Sequence, residues 1–225
     1  MADGLTVSDL EVPGRGGRML LSVEALSLAP GQSLGLRGPS GAGKSTFLYA
    51  IAGLIEGARG RVEWNGTDIL SLSPDRRGAF RAAHMGFIFQ DFLLFDELSG
   101  IDNAALPALF APRAQRPGIR LRAQEMLGRL GLSDPGRGVD SYSGGERQRV
   151  GVARALANDA AILLADEPTA SLHRAAADAL IEDLAGVARG QRTSVVVSHD
   201  PALLARMDRV ITIADGRMTD GDLAA

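Results

Sequence analysis

Gly38-Pro39-Ser40-Gly41-Ala42-Gly43-Lys44-Ser45-Thr46 decides the fold. It matches the pattern G-x-x-x-x-G-K-[ST], in which glycines let the backbone wrap a phosphate so that its N–H groups point inward. Its flanks are the ones this chemistry requires. Ser33-Leu34-Gly35-Leu36 reads as a strand feeding the loop, and Lys44 to Ala52 is patterned as a helix that Gly53 is placed to end. The dipole of that helix adds attraction for negative charge at its start. Lysine and serine after the last glycine set the stretch apart from a plain glycine-rich turn. Lys44 is placed to reach the β- and γ-phosphates, and Ser45 to offer its hydroxyl to Mg²⁺. Kinases, GTPases and motor ATPases all share such a loop, so it alone leaves the reaction open.

Further along, Ala161-Ile162-Leu163-Leu164 and Ser194-Val195-Val196-Val197 are short continuous apolar runs, as expected of strands buried on both faces of a parallel sheet. The first runs into Asp166-Glu167, and Pro168 stops it. Open α/β sheets bind ligands at this carboxyl edge. Alone, such an acidic pair reads as a solvated strand end. Beside a phosphate loop, Asp166 is suited to orient Mg²⁺ through water and Glu167 to polarise the attacking water.

Between those runs Arg174 to Ala188 is Ala- and Leu-rich and helical. Residues 5 to 36 alternate around Pro13-Gly14-Arg15-Gly16-Gly17, which predicts short antiparallel strands joined by turns. From about Phe92 to Val139 strand signals are few, with Pro107, Pro112, Pro117 and Pro135 interrupting and a helical run from Ile119 to Leu130. The expected fold is α/β: a P-loop NTPase core of mostly parallel sheet with flanking helices and an N-terminal antiparallel β subdomain, carrying an inserted helical subdomain. Residues 1–225 read as one domain, with 1–91 and 141–225 as nucleotide-binding core and about 92–140 as the helical subdomain.

Ser143-Gly144-Gly145-Glu146 has the capping-box pattern and opens a helix running through Ala157. Two consecutive glycines weaken a helix start by about 1 kcal/mol each relative to alanine, a cost that makes sense where a phosphate docks. Extended by Arg147-Gln148 and followed by the Asp166-Glu167 element, this segment resembles the signature motif of ABC-type ATPases. The resemblance spans Leu5 to about Met218. It implies a head-to-tail homodimer in which Ser143, Gly144, Gly145 and Glu146 of one subunit close over ATP held by the phosphate loop of the other.

Other parts of the likeness follow in order. Gln90, ending Phe87-Ile88-Phe89-Gln90, resembles the glutamine that touches Mg²⁺ and the attacking water in that family; His199, in Ser198-His199-Asp200, resembles its switch histidine, which contacts the γ-phosphate. The resemblance thus implies ATP hydrolysis with Lys44, Gln90, Glu167 and His199 in catalysis and with Ser45, Gln90 and Asp166 around Mg²⁺. Met85 to Gln90 with Phe92-Leu93-Leu94, Asn103 and Pro107 looks most like the lipoprotein-release, macrolide-efflux and cell-division group. The implied partner is an integral-membrane permease, with the chain peripheral on the inner face of the cell membrane. Phe92, Leu93, Leu94, Phe95 and Leu109 either line a groove for a permease helix or pack inside the helical lobe. A rival from another class is an ATP-gated scaffold or signalling module of a cell-division or cell-wall complex that transports nothing.

Two departures stand out. The family usually stacks an aromatic ring on adenine, yet no Phe, Tyr or Trp occurs between Met1 and Thr46, which leaves Val12 or Arg15 to cover the base. At Ser171-Leu172-His173 the family usually has aspartate in place of the histidine, so the loop thought to couple the two ATP sites lacks a fixed negative charge. Lys44, Gln90, Asp166, Glu167 and His199 all remain, so hydrolysis at both sites of a homodimer is expected.

Composition narrows the alternatives. Among 225 residues, 24 Lys and Arg face 27 Asp and Glu, a net charge of -3 that argues against a nucleic-acid partner. The sequence has no cysteine, which excludes disulfides, zinc-thiolate sites and thiol catalysis. Met1-Ala2-Asp3-Gly4 lacks a signal-peptide pattern, and no apolar run approaches the roughly 20 residues of a membrane span. A cytoplasmic chain is expected, with any spans supplied by another polypeptide.

Overall fold

The apolar runs lie side by side toward one edge of a ten-stranded sheet in the structure, a computed structural model that describes residues 4–170, 172–188 and 192–220. Its strands are β1 (Leu5–Pro13), β2 (Met19–Leu28), β3 (Ser33–Arg37), β4 (Arg59–Trp64), β5 (Thr67–Asp68), β6 (Met85–Ile88), β7 (Ile162–Asp166), β8 (Thr193–Val197), β9 (Arg209–Ala214) and β10 (Arg217–Asp220). They lie in the order β5-β4-β1-β2-β10-β9-β3-β8-β7-β6, and β9, β3, β8, β7 and β6 run parallel. Every residue of β7 and β8 is buried, as runs without polar alternation require.

The antiparallel half is continuous with the parallel one. β10 is antiparallel to β9 and meets β2 in parallel at Arg217 and Ser22, which joins the halves into a single sheet. The antiparallel region also extends past residues 5 to 36, because β4 pairs with β1 and β5 with β4, whereas β3 belongs to the parallel half.

The helices are α1 (Lys44–Ile51), α2 (Pro74–His84), α3 (Gly100–Ala104), α4 (Arg116–Arg129), α5 (Gly144–Ala157), α6 (Arg174–Ala188) and α7 (Pro201–Leu204). Gly53, at φ 64°, ends α1 in a Schellman motif: its N–H donates to Ala50 O and that of Leu54 to Tyr49 O, each at 2.9 Å. Trp64 is fully buried and donates its indole N–H to Ile51 O at 2.7 Å, tying the end of α1 to β4. The phosphate-loop helix is therefore anchored at its far end.

α5 is shared by two cores. Its Val150, Ala153 and Ala157 pack with Ile119, Ala123, Leu127 and Val139 of the helical lobe, while Val152, Ala155 and Leu156 pack with Ile88, Leu163 and Leu180 on the sheet side. Asn103, with no exposed surface, accepts from Phe95 N–H and donates to the carbonyls of Phe95, Leu98 and Ser99, which pins the loop ahead of α3. Gly86 is where β6 and α5 touch backbone to backbone, since a Cβ there would lie 2.1 Å from Ala155 O. Gly86→Ala is expected to destabilise the fold by about 1–3 kcal/mol through overpacking, seen as a lower urea midpoint at unchanged slope.

Candidate active site

The carboxyl edges of β3, β7 and β8 converge on the loop between β3 and α1. Gly38 sits at φ 146°, where a Cβ would lie 2.0 Å from Ile213 O, and Gly43 caps α1 at φ 103° with no side chain of its own. Only glycine lets the backbone take this course with its amides free to point at an anion. Lys44, 7% exposed, donates its Nζ to Gly38 O at 2.8 Å and to Pro39 O at 2.9 Å, so its ammonium is held over the loop itself.

At the end of β7 Asp166 is 1% exposed, and both its oxygens have donors. Oδ1 accepts from Ser45 Oγ at 3.2 Å and Oδ2 from the Tyr49 hydroxyl at 3.0 Å. The Tyr49 phenol is pushed up to about 12 by burial first and then by the Asp166 charge, so it remains a neutral donor. Glu167 follows at φ 48°, a left-handed conformation uncommon for a residue with a side chain, and donates its N–H to Val197 O at 2.9 Å. That places its carboxylate against His199, whose backbone N–H reaches Oε2 at 3.2 Å and whose Nε2 lies 3.2 Å from Oε1. Burial raises the Glu167 carboxyl above the ordinary glutamate range, with the charges of His199 and Lys44 pulling the other way.

A cleft of about 510 Å³ brings together residues 40–46, Gln90, Asp166, Glu167 and His199, with Thr169 and Asp200 beside them. The cleft fits a nucleotide phosphate with a hard cation. Ser45 Oγ and the Asp166 carboxylate are oxygen donors, and no group of three or more His, Asp or Glu able to hold a metal occurs among the described residues. Mg²⁺ is characteristically held by one or two protein oxygens together with substrate phosphates.

Ser143, Gly144, Gly145 and Glu146 do not line this cleft. They open α5 as a complete capping box: Ser143 N–H and Oγ both donate to Glu146 Oε2 at 2.8 Å, and Glu146 N–H returns to Ser143 Oγ at 3.3 Å. The Ser143 amide and hydroxyl, then Arg137, hold the Glu146 carboxyl below the usual glutamate range. A Cβ on Gly144 would meet nothing within 4 Å, and one on Gly145 only the ends of Leu172 and Arg149. This helix start is open to approach from outside the chain.

Other expectations fare differently. Val12 is 1% exposed and faces the core because β1 alternates inward there, so it offers no face to a base; the Arg15 side chain lies outside the described residues. The exposed apolar residues near the phosphate loop are Met19 and Leu20, and Leu20 O lies 3.1 Å from where a Cβ on Gly43 would stand. Ser171 is outside the described residues, while His173 Nδ1 accepts from Ala176 N–H at 3.4 Å at the start of α6.

The five residues expected either to line a groove or to pack inside the helical lobe do not share one fate. A cavity of about 480 Å³ between the lobes is lined by Leu54, Arg81, Phe87, Phe89, Leu106, Pro107, Phe110 and Arg154 among others. Phe92, Leu93, Leu94, Phe95 and Leu109 do not line it; Leu94 packs into the helical lobe, and Leu93, Phe95 and Leu109 are exposed elsewhere. Phe92 and Leu93 take left-handed φ values of 59° and 46°, and the half-buried Arg154 donates to both their carbonyls. Burial lowers the Arg154 guanidinium from the arginine range.

The family model described as ABC transporter matches residues 21–170. The lipoprotein-releasing system ATP-binding protein LolD of Novosphingobium aromaticivorans is 43% identical over 194 residues, covering 85% of this chain and 86% of that one. The macrolide export ATP-binding/permease protein MacB of Chromobacterium violaceum is 41% identical over 200 residues, 86% of this chain but 30% of its own length. Among solved structures, the dimeric structure of the bacterial ABC transporter cassette MJ0796 matches with a TM-score of 0.89 at 30% identity, over 98% of this chain and 99% of that one. A dimeric post-hydrolysis state of MJ0796 bound to ADP and Pi matches with a TM-score of 0.84 at 29% identity, over 96% and 98%.

Proposed function

Because the chain belongs to the ABC transporter family and is an ATPase cassette of that family, we propose that it works as a head-to-tail homodimer whose ATP cycle moves a separate integral-membrane permease. The observation that carries this is the division of the site. Phosphate loop, Gln90, Asp166, Glu167 and His199 share one cleft, while the Ser143 helix start lies outside it with its glycines uncovered. Each Ser143 end then completes the site of the other protomer.

In this reading Lys44 leaves the carbonyls of Gly38 and Pro39 for the β- and γ-phosphate oxygens. Ser45 and Gln90, with Asp166 through water, would hold Mg²⁺, which when bound would supply positive charge to the phosphates. Glu167 accepts the hydrogen bond of the attacking water and polarises it; its burial raises its appetite for that proton. The His199 amide keeps the carboxylate aimed, and its ring contacts the γ-phosphate. ATP binding closes the dimer, and hydrolysis with phosphate release opens it.

The partner is a permease with its own spans, and the chain sits at the inner face of the membrane through it. No helix of the described residues is long and apolar enough to cross a membrane. The groove between the lobes suits an amphipathic helix of the permease, with Phe89, Leu106 and Phe110 as apolar wall and Arg81 at its side. Phe110 is 76% exposed, so Phe110→Glu alters the wall without touching the core. That variant is expected to keep the ATPase rate of the isolated cassette within twofold and to lose co-purification with the membrane subunit from detergent-solubilised membranes. Recovery of a cell-wall or division component with no membrane-spanning polypeptide would favour the scaffold reading.

A further inference from the structure

We propose that Tyr49 is a positioning residue for the metal site: its hydroxyl and that of Ser45 together fix the plane of the Asp166 carboxylate, and the ring of Phe87 holds Tyr49 in place. The proposal rests on the reading of Asp166 as the group that orients Mg²⁺.

The torsion that turns a carboxylate about its last bond is broad, so a single hydrogen bond leaves its plane free to swing. Here each oxygen has its own donor, Ser45 Oγ to Oδ1 at 3.2 Å and Tyr49 OH to Oδ2 at 3.0 Å. Ser45 and Tyr49 stand four residues apart on α1, hence on one face of one rigid element whose far end Trp64 anchors. The two donors cannot drift independently. With Asp166 only 1% exposed, loss of the Tyr49 hydroxyl would strip a donor from a buried carboxylate oxygen, and the cheapest repair is rotation toward Ser45 or the cleft.

The Tyr49 ring is supported as well. It lies 5.8 Å from the Phe87 ring centroid, and Phe87 stacks on Phe89 at 4.2 Å with 17° between planes. Phe87 sits on β6 in register with Leu164 of β7, two residues before Asp166. Phe87 and Phe89 also line the apolar groove, so a contact made there reaches Asp166 through two ring contacts and one hydrogen bond.

The test measures Mn²⁺ binding to the ADP-loaded protein by electron paramagnetic resonance, alongside metal-free ADP affinity and the thermal midpoint. The variants are Tyr49→Phe, which keeps the ring, Phe87→Leu, which keeps the hydroxyl, and Asp166→Asn. Tyr49→Phe is expected to weaken Mn²⁺ by roughly tenfold, the scale on which partners of metal-orienting carboxylates act, with metal-free ADP affinity unchanged. Phe87→Leu should shift Mn²⁺ affinity the same way by a smaller factor. Wild-type Mn²⁺ affinity in Tyr49→Phe, with Asp166→Asn impaired, would overturn the role of Tyr49. So would a loss of metal-free ADP affinity and thermal midpoint in parallel with Mn²⁺, the mark of a packing role. If Asp166→Asn binds Mn²⁺ as wild type does, the reading of Asp166 itself fails and the proposal falls with it.

Discussion

Glu167→Gln is expected to cut ATP turnover by roughly a hundredfold or more while nucleotide still binds, leaving an ATP-dependent dimer that elutes early on gel filtration. The amide keeps the shape of the side chain and an oxygen for the His199 N–H, but it cannot take a proton from water. The phosphate cradle, Lys44 and the Ser45–Asp166 pair are untouched. Turnover at the wild-type rate would remove Glu167 from the chemistry.

The same substitution has a second signature in stability. Burial lets folded Glu167 keep its proton to higher pH than an unfolded glutamate, whose ordinary pKa is about 4.3. The linked stability is fully present below that ordinary value and is lost as pH rises through the raised one. At neutral pH the ionised, half-buried carboxylate is therefore a burden on the fold. Glu167→Gln should melt above wild type at pH 8, and the gap should close as pH falls toward about 4. Wild-type turnover should fall over the acid end of the same range, as the base becomes occupied.

Gly144→Asp is expected to abolish the ATP-dependent dimer of Glu167→Gln and to lower wild-type turnover by roughly 10²–10³-fold, with little change in fold stability. Nothing lies within 4 Å of the added Cβ, and an acidic residue in the first turn of a helix suits its dipole. The monomer should tolerate it. A triphosphate arriving from a partner protomer would instead meet a carboxylate where the glycines had left bare amides. Survival of the dimer in the double variant, read by gel filtration with ATP, would mean that the Ser143 end faces no phosphate in any assembly.

How much of this was legible beforehand depended on whether a feature is local in the chain. The phosphate loop, the Schellman end at Gly53, the capping box at Ser143 and the buried strands β7 and β8 all follow from residues near one another. α6 runs over Arg174–Ala188, the span its composition predicts. Features set by distant packing were missed. Tyr49 has no motif, and its meaning appears only when β7 brings Asp166 beside α1, although its spacing from Ser45 placed both on one helix face. α2, by contrast, carries a local start signal, Ser73 as N-cap and Pro74 as first residue, a pair that marks helix starts. The choice between groove lining and lobe packing for Phe92, Leu93, Leu94, Phe95 and Leu109 was not legible either, because exposure depends on which face α5 and β6 cover, and period alone does not say that. Val12 likewise is turned inward by the alternation of β1, away from any base.

Arg154 has a consequence for how the segment behind Gln90 moves. Its guanidinium is half-buried at the groove wall, and it donates to the carbonyls of Phe92 and Leu93, two residues already in uncommon backbone states. Drawing that segment away would take two carbonyl acceptors at once from a partly desolvated cation at the groove wall, and half-withdrawn positions satisfy neither the charge nor the carbonyls. The segment should therefore behave as a bolt rather than a spring, shot home or fully drawn, with little occupancy between.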